Sequence, residues 1–443
     1  MKTNINTSKT KATAISSAMS WYSVFVLTIA YICSYIDRSI LNLLVGPIKS
    51  DLHITDTQFS LLAGLAFAFL YTFLGIPIAK LADTRNRKNL MAAGTFFWSI
   101  ATTLSGLANS FSQLFIARVG VGIGEAALSP AAYSTIANLF SKDKLGRALG
   151  VYSAGVYIGT GLSYLLGGLI INKVSTQSSI DLLGFLTVQP WQVVFFIIGL
   201  PGILISLWIL TLKEPVREIT KVNTMDSTYK DVLQYMKKNS ISFITHFVGF
   251  SMLTMLFNGV MVWLVEFFVR TYNTPRVSIG FNIGYIVLIF GCLGTWFGGY
   301  IMDYLTKKGY KDAAMRTGII SALGILPLIL LMTNAPNDKI AIILFCPLMF
   351  FMSFPFASAA AALQIISPVH MRARISAFYL FVVNLTGIGL GPTMTALVTD
   401  YIFKDETKLC YSLAFVGGIG SIVAAILLFS GCKAFRKTAE SIK

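Results

Sequence analysis

Twelve stretches of almost unbroken apolar residues, each long enough to cross a lipid bilayer, constrain this chain more than any other feature of its sequence. A helical traverse of the hydrocarbon core takes roughly 20 such residues. Six runs fall at 22–44, 58–78, 90–108, 112–140, 146–171 and 191–212; after a polar stretch at 213–240, six more fall at 241–269, 278–304, 316–332, 340–366, 375–401 and 409–432. They are continuous rather than alternating at every second residue, which excludes the strands of a membrane barrel, and in hydrocarbon the α-helix is then the way to satisfy every backbone group. With 55% hydrophobic residues and only 12% charged ones, the chain has too much apolar surface for a water-soluble core, since soluble proteins carry about a quarter charged residues. The expected fold is an all-α membrane protein of twelve transmembrane helices in two pseudo-symmetric six-helix bundles, 21–212 and 241–433. A cytoplasmic loop at 213–240 joins them, and cytoplasmic tails at 1–20 and 434–443 flank them.

A net charge of +16 raises the question of nucleic acid. The positions of the charges answer it. With the N-terminus placed in the cytoplasm, 26 of the 35 Lys and Arg residues fall in the tails and in every loop on that side, 7 fall on the other side, and Arg38 and Arg118 lie within helices. This is the positive-inside bias of an inner-membrane protein with both termini cytoplasmic, whereas a nucleic-acid face concentrates its charge on one element. The polar segment 1–20 lacks the apolar core and small-residue cleavage site of a signal peptide. The scattered Cys33, Cys292, Cys346, Cys410 and Cys432 read as small packing residues.

An ionisable group at the centre of a spanning helix costs at least roughly 2.5–3.5 kcal/mol and persists where it is paired or faces a cavity. Few are present: Asp37 and Arg38 in the first span, Arg118 and Glu125 in the fourth, His246 and Glu266 in the seventh. At about 1.5 Å rise per residue, Asp37 and Arg118 both sit roughly 10 Å below the outer boundary. Arg118 and Glu125 are seven residues apart, two turns along one helix face. A carboxylate beside an arginine, in a place whose hydration changes, can exchange a proton as a cavity opens; a buried pair that only locks helices is a poor source of stability. Asp37 and Glu125 are therefore the proton-coupling candidates, with Arg118 and Arg38 attracting an anionic substrate. Glu266 reads equally as a substrate-site group or as an i,i+4 partner of Arg270. Trp263, Phe257, Tyr133 and Phe354 are candidates to hold an apolar moiety.

Glycines recur in the fourth, fifth, eighth and eleventh spans at spacings that let helix backbones approach closely. The loop after the second span carries Asp83 followed by Arg85, Arg87 and Lys88; at the same ordinal place in the second half stands Asp303 with Lys307 and Lys308. The repeated device points to an internal duplication and to a cytoplasmic gating latch of Asp83, Arg87, Lys88 and Asp303, in which a carboxylate binds the N-terminus of a neighbouring helix across the two halves.

These motifs resemble those of the major facilitator superfamily over nearly the full length. The 83–88 segment resembles its loop signature, with Ala79 and Thr84 in place of the usual glycine and arginine, and Arg118 with Gly122 resembles its fourth-helix signature. The glycines of the fifth span are similar to an antiporter motif without its proline. Tyr35-Ile36-Asp37-Arg38, Gly122-Ile123-Gly124-Glu125-Ala126 and Asn86-Arg87-Lys88 are similar to the Spinster-like branch, and 371–374 through 389–392 to its bacterial relatives. The resemblance implies alternating access around a midplane cavity, proton-linked transport of an amphipathic or anionic molecule such as a lysophospholipid, and coupling and substrate roles for Asp37, Arg118 and Glu125. The alternatives are an importer of small carboxylates or of a carboxylate-type siderophore, a multidrug efflux carrier and, from another class, a non-transporting receptor or scaffold. No phosphate-cradling glycine loop or metal-ligand cluster is present, and His53, His246 and His370 lie far apart. The expectation is thus no enzyme and no cofactor, a proton gradient as energy source, and a monomer whose partners are a small-molecule substrate and membrane lipids.

Overall fold

The computed structural model describes residues 16–174, 180–182, 186–214 and 229–442. The first lobe opens with α1 (Ser17–Leu43), whose first turn is capped by the Ser16 hydroxyl accepting from the Met19 amide at 3.3 Å. The short α2 (Val45–Leu52) follows, then α3 (Asp56–Ser60) with a reciprocal Thr55/Gln58 cap, a wide π turn at Leu61–Leu65, and α4 (Ala66–Thr84). Next come α5 (Arg87–Ser105), α6 (Phe111–Glu125), α7 (Leu128–Leu139), α8 (Lys142–Val174) and α9 (Pro190–Ile209). A two-stranded hairpin, β1 (Ile180–Leu182) and β2 (Leu186–Val188), precedes α9; nothing in the apolar pattern anticipates it. Of the 213–240 stretch, 215–228 lies outside the described residues, and Tyr229–Lys238 forms the amphipathic α10.

The second lobe consists of α11 (Ser240–Tyr272), then α12 (Arg276–Ile286) joined by a π turn at Val287–Gly291 to α13 (Cys292–Lys307). After these come α14 (Ala313–Thr333), α15 (Asp338–Met352) and α16 (Pro355–Ile366). The eleventh traverse is α17 (Arg372–Val383), a π turn at Asn384–Leu390, α18 (Gly391–Leu397) and a second π turn at Val398–Phe403; α19 (Leu409–Ser441) closes the chain.

Among the described residues, ten traverses are long and apolar enough to cross a membrane on their own. The other two of the twelve are α5, with five Ser and Thr residues, and the α15–α16 pair. Two expected single helices are broken. The run 112–140 bends between α6 and α7, immediately after Glu125, and the run 340–366 turns at Ser353–Phe354 before Pro355 restarts it, a proline being well tolerated in the first turn of a helix.

The lobes meet along two seams of the same design. A Cβ on Gly64, in the first π turn, would lie 2.7 Å from the Ile388 carbonyl in the third; a Cβ on Gly161 of α8 would lie 2.9 Å from the Gly284 carbonyl of α12, and the reverse holds for Gly284. The second traverse thus touches the eleventh as the eighth touches the fifth, which is the relation a duplicated six-helix unit generates.

Candidate transport site

Asp37 and Arg38 are adjacent on α1 and point about 100° apart, so one turn serves two different partners. Asp37, only 2% exposed, receives Arg118 Nη1 from α6 at 2.8 Å and the Thr102 hydroxyl from α5. Arg38 reaches α6 two turns further along the same face, where its Nε and Nη2 lie 2.6 and 2.5 Å from Glu125 Oε2, and Ser34, one turn earlier on α1, donates to the same oxygen at 2.6 Å. Because α1 and α6 run antiparallel, moving from Arg118 to Glu125 along α6 runs back along α1 from Asp37 toward Ser34, and the long Arg38 side chain spans the remaining rise. The helix-rise estimate that set Asp37 and Arg118 at one depth corresponds to a direct pair here.

Loading of the two oxygens of Glu125 is uneven. Oε2 takes every contact, while Oε1 is buried without a hydrogen-bond partner, and an ionised carboxylate has acceptor sites on both oxygens. The Arg38 guanidinium also lies over the rings of Phe67, Tyr71 and Tyr35, at 4.4, 4.9 and 5.0 Å from their centroids, a stacking that holds a cation without neutralising it. Two glycines let these helices close up. A Cβ on Gly122 would sit 2.5 Å from the Phe67 carbonyl, and one on Gly124 would sit 2.6 Å from the Trp98 amide nitrogen.

A cavity of about 300 Å³ lies between the lobes. Arg38 and Arg118 reach it from the first lobe together with Tyr35, Ser39, Asn42 and Thr160; Thr254, Asn258, Asn384, Tyr379, Phe257 and Phe356 face it from the second. Asn42 donates to the Tyr164 hydroxyl at 3.1 Å, and that hydroxyl donates to the Met261 carbonyl at 2.9 Å, tying the lobes together beside the cavity.

At the end of the molecule away from both termini, charges from the two lobes interlock. Buried Asp56 of the first lobe accepts from Arg270 of the second at 2.6 and 2.9 Å and pairs with Lys49. Lys49 also reaches Glu406 at 2.8 Å. The backbone and hydroxyl of Thr57 both donate to Asp400, at 2.8 and 2.6 Å, and the Gly46 amide donates to Glu266 at 2.9 Å. Glu266 pairs in addition with Arg270, at 3.3 Å, and with Arg276. This end is therefore bolted shut.

Several expected site residues stand elsewhere. Glu266 is absorbed by this network rather than by the cavity wall, because it sits near the far end of α11 with two arginines in reach. Trp263 is fully buried, its indole N–H donating to the Pro392 carbonyl at 2.9 Å. Tyr133 is 40% exposed and packs edge-on against Tyr152; Phe354 packs against Gly298. Of the four aromatic candidates, Phe257 lines the cavity.

Part of the expected latch lies within the described residues. The carboxylate that binds the N-terminus of α5 is Glu214, just past α9, accepting from the Arg87 and Lys88 amides at 3.3 and 3.1 Å. Arg87 is buried and donates to the Ser134 carbonyl at 3.4 Å and to the Asn138 side-chain oxygen at 2.7 Å, both in its own lobe. Asp303 is exposed, and the side chain of Asp83 lies outside the described residues. Glu214 was missed because only its place after the sixth run marks it. Asp56, Asp400 and Glu406 were missed because they read as ordinary residues at the ends of spans.

Two pseudo-symmetric lobes, a cavity between them and buried charges on its wall define a membrane transporter of the two-lobed kind. The chain belongs to the Major Facilitator Superfamily, whose model matches residues 27–392. Protein spinster homolog 1 of Xenopus tropicalis is 28% identical over 92% of this chain and 80% of its own length. An MFS-type efflux pump of Mycolicibacterium smegmatis is 25% identical, covering 87% and 86%, and a probable L-galactonate transporter of Escherichia coli is 23% identical, covering 90% and 88%. The fold matches a bacterial homolog of the human lysosomal transporter Spinster, solved in an inward-facing, unoccupied conformation, with TM-score 0.77, 23% identity and coverage of 97% and 98%.

Proposed function

We propose that this protein is a proton-coupled carrier of a small, hydroxyl-bearing organic anion, working by alternating access. The observation that carries the reading is the Arg38–Glu125 pair: Arg38 faces the cavity, and Glu125 beneath it keeps one buried oxygen bare. A substrate carboxylate entering the cavity competes with Glu125 for Arg38. Glu125, losing its cation, takes a proton at Oε1, so that anion and proton occupy the site together and no buried charge is left unpaired. Asp37, held by Arg118 and Thr102, is the second group able to exchange a proton. The bundles 21–212 and 241–433 rock as units about the glycine seams, and the end carrying both termini faces the cytoplasm across the inner membrane.

Cavity size and polarity support a polyhydroxy carboxylate. About 300 Å³ is at the small end of ligand sites, and Ser39, Asn42, Thr160, Asn258 and Asn384 offer hydroxyl-binding groups from both lobes. Similarity to a probable galactonate transporter points the same way. A lysophospholipid is the second reading, supported by the Spinster relatives and by Phe257 and Phe356 on the wall. Proteoliposomes under an imposed pH gradient test both: uphill uptake of sugar acids but not of lysolipids is expected, and Glu125→Gln is expected to abolish uphill uptake while retaining counterflow. Uphill uptake that survives in Glu125→Gln refutes the coupling role.

A further inference from the structure

At the end that carries the termini, on the flank of the second lobe, a groove of about 610 Å³ runs between the start of α14 and the end of α19. Its walls are graded. Arg316, Ile319 and Ile320 follow one another along one face of α14, and Phe429, Lys433 and Arg436 do so along one face of α19, at the three- and four-residue steps that align side chains on a helix. On both helices the cations stand toward the end of the lobe and the apolar side chains toward its middle. Phe429 is 72% exposed, a high value that lipid rather than protein must cover.

The charge of the groove is not balanced from within. Asp312, fully buried at its base, accepts from Arg316 Nε at 2.9 Å through Oδ1. Its Oδ2 has no hydrogen-bond partner, and Arg436 approaches it only to 3.9 Å. Arg316 is held in place by stacking over Tyr310 at 4.2 Å. Next to the groove, Lys311 and Glu440 satisfy each other at 2.8 Å. Three cations therefore face one carboxylate, leaving two positive charges beside an apolar floor.

We propose that this groove is a binding site for a phospholipid with an anionic headgroup. Arg436 and Lys433 contact the headgroup phosphate, Arg316 shapes the pocket through Asp312, and an acyl chain lies along Ile319, Ile320 and Phe429. Basic clusters at the cytoplasmic membrane surface gain affinity for anionic lipid with each added cation, and a graded wall selects a molecule that is anionic at one end and hydrocarbon at the other.

Native mass spectrometry of the purified full-length protein tests this with phosphatidylglycerol, phosphatidylcholine and inorganic phosphate as separate probes. Retention of phosphatidylglycerol over phosphatidylcholine is expected. Lys433→Gln/Arg436→Gln, which leaves the Arg316–Asp312 pair intact, is expected to weaken phosphatidylglycerol binding roughly twenty-five-fold, about fivefold per cation. Phe429→Ser is expected to weaken it as well, with the thermal unfolding midpoint in lipid-free detergent unchanged in both variants. Equal retention of the two lipids, competition by inorganic phosphate alone, or undiminished phosphatidylglycerol binding by the double variant would overturn the assignment. Because the readout is binding, it stands or falls separately from transport.

Discussion

Neutralising Asp56 is expected to unbolt the far end of the transporter. The network there contains Lys49, Arg270 and Arg276 against Asp56, Glu266 and Glu406, so it is electrically balanced. Asp56→Asn leaves it with one excess positive charge and replaces the two charged acceptors of Arg270, at 2.6 and 2.9 Å, with a single neutral amide oxygen and an NH2 that cannot accept. Loss of one partner from a buried pair costs about 3–5 kcal/mol. Arg270 keeps Glu266 at 3.3 Å and Glu406 at 3.7 Å, so the lower figure, about 3 kcal/mol, applies. Asp56 belongs to the first lobe and Arg270 to the second, which means the contact exists only while this end is closed. The cost falls on that state alone and moves the equilibrium toward opening by roughly 150-fold, at about 1.4 kcal/mol per decade. Spin labels at Leu107 in the first lobe and Lys339 in the second, both at this end, report the separation by pulsed dipolar spectroscopy. A longer-distance population is expected in Asp56→Asn. Adding Arg270→Gln is expected to change little further, since the two residues act as a pair. A distance distribution unchanged in Asp56→Asn, with only the melting temperature lowered, would show that the network glues the fold and does not gate it.

Other consequences are checked more directly. Gly64→Val and Gly161→Val place side-chain atoms against carbonyls already 2.7 and 2.9 Å from a Cβ, so each is expected to cut transport more than tenfold with normal membrane insertion; Gly146→Ala, with nothing within 4 Å, is the neutral control. Glu214→Gln weakens the cap of α5 and is expected to cost about 1 kcal/mol, read as a lower thermal midpoint with an unchanged substrate KM. Thr102→Val removes a donor from buried Asp37 and is expected to destabilise the protein by about 1–3 kcal/mol and to shift the pH profile of uptake, whereas a drop in stability with an unaltered profile would confine Thr102 to packing.

How far the primary structure reaches differs from element to element. The twelve traverses and the position of the charges along them follow from local arithmetic, because hydrocarbon demands helices of a given length and makes each buried charge conspicuous. The level shared by Asp37 and Arg118 comes from helix rise alone. That Arg38 turns to Glu125 instead of competing for Asp37 depends on how α1 and α6 are rotated about their axes.

Helix rotation is where local pattern stops being informative in a membrane. A span that is apolar all round has no polar face to point at water, so Trp263 and Tyr133 read like Phe257, although packing sends the first into the protein interior, the second to an exposed surface and the third to the cavity. The closed far end, with Asp56 meeting Arg270 from 214 positions away, and the basic groove between α14 and α19 arise only when separate helices are brought side by side. Span number, span order and the placement of ionisable groups were thus written in the linear chain, by the cost of exposing backbone and charge to lipid. The pairing of those groups, the breaks after Glu125 and at Ser353, and the carboxylate that caps α5 were settled by tertiary packing, since each depends on neighbours that no local rule supplies.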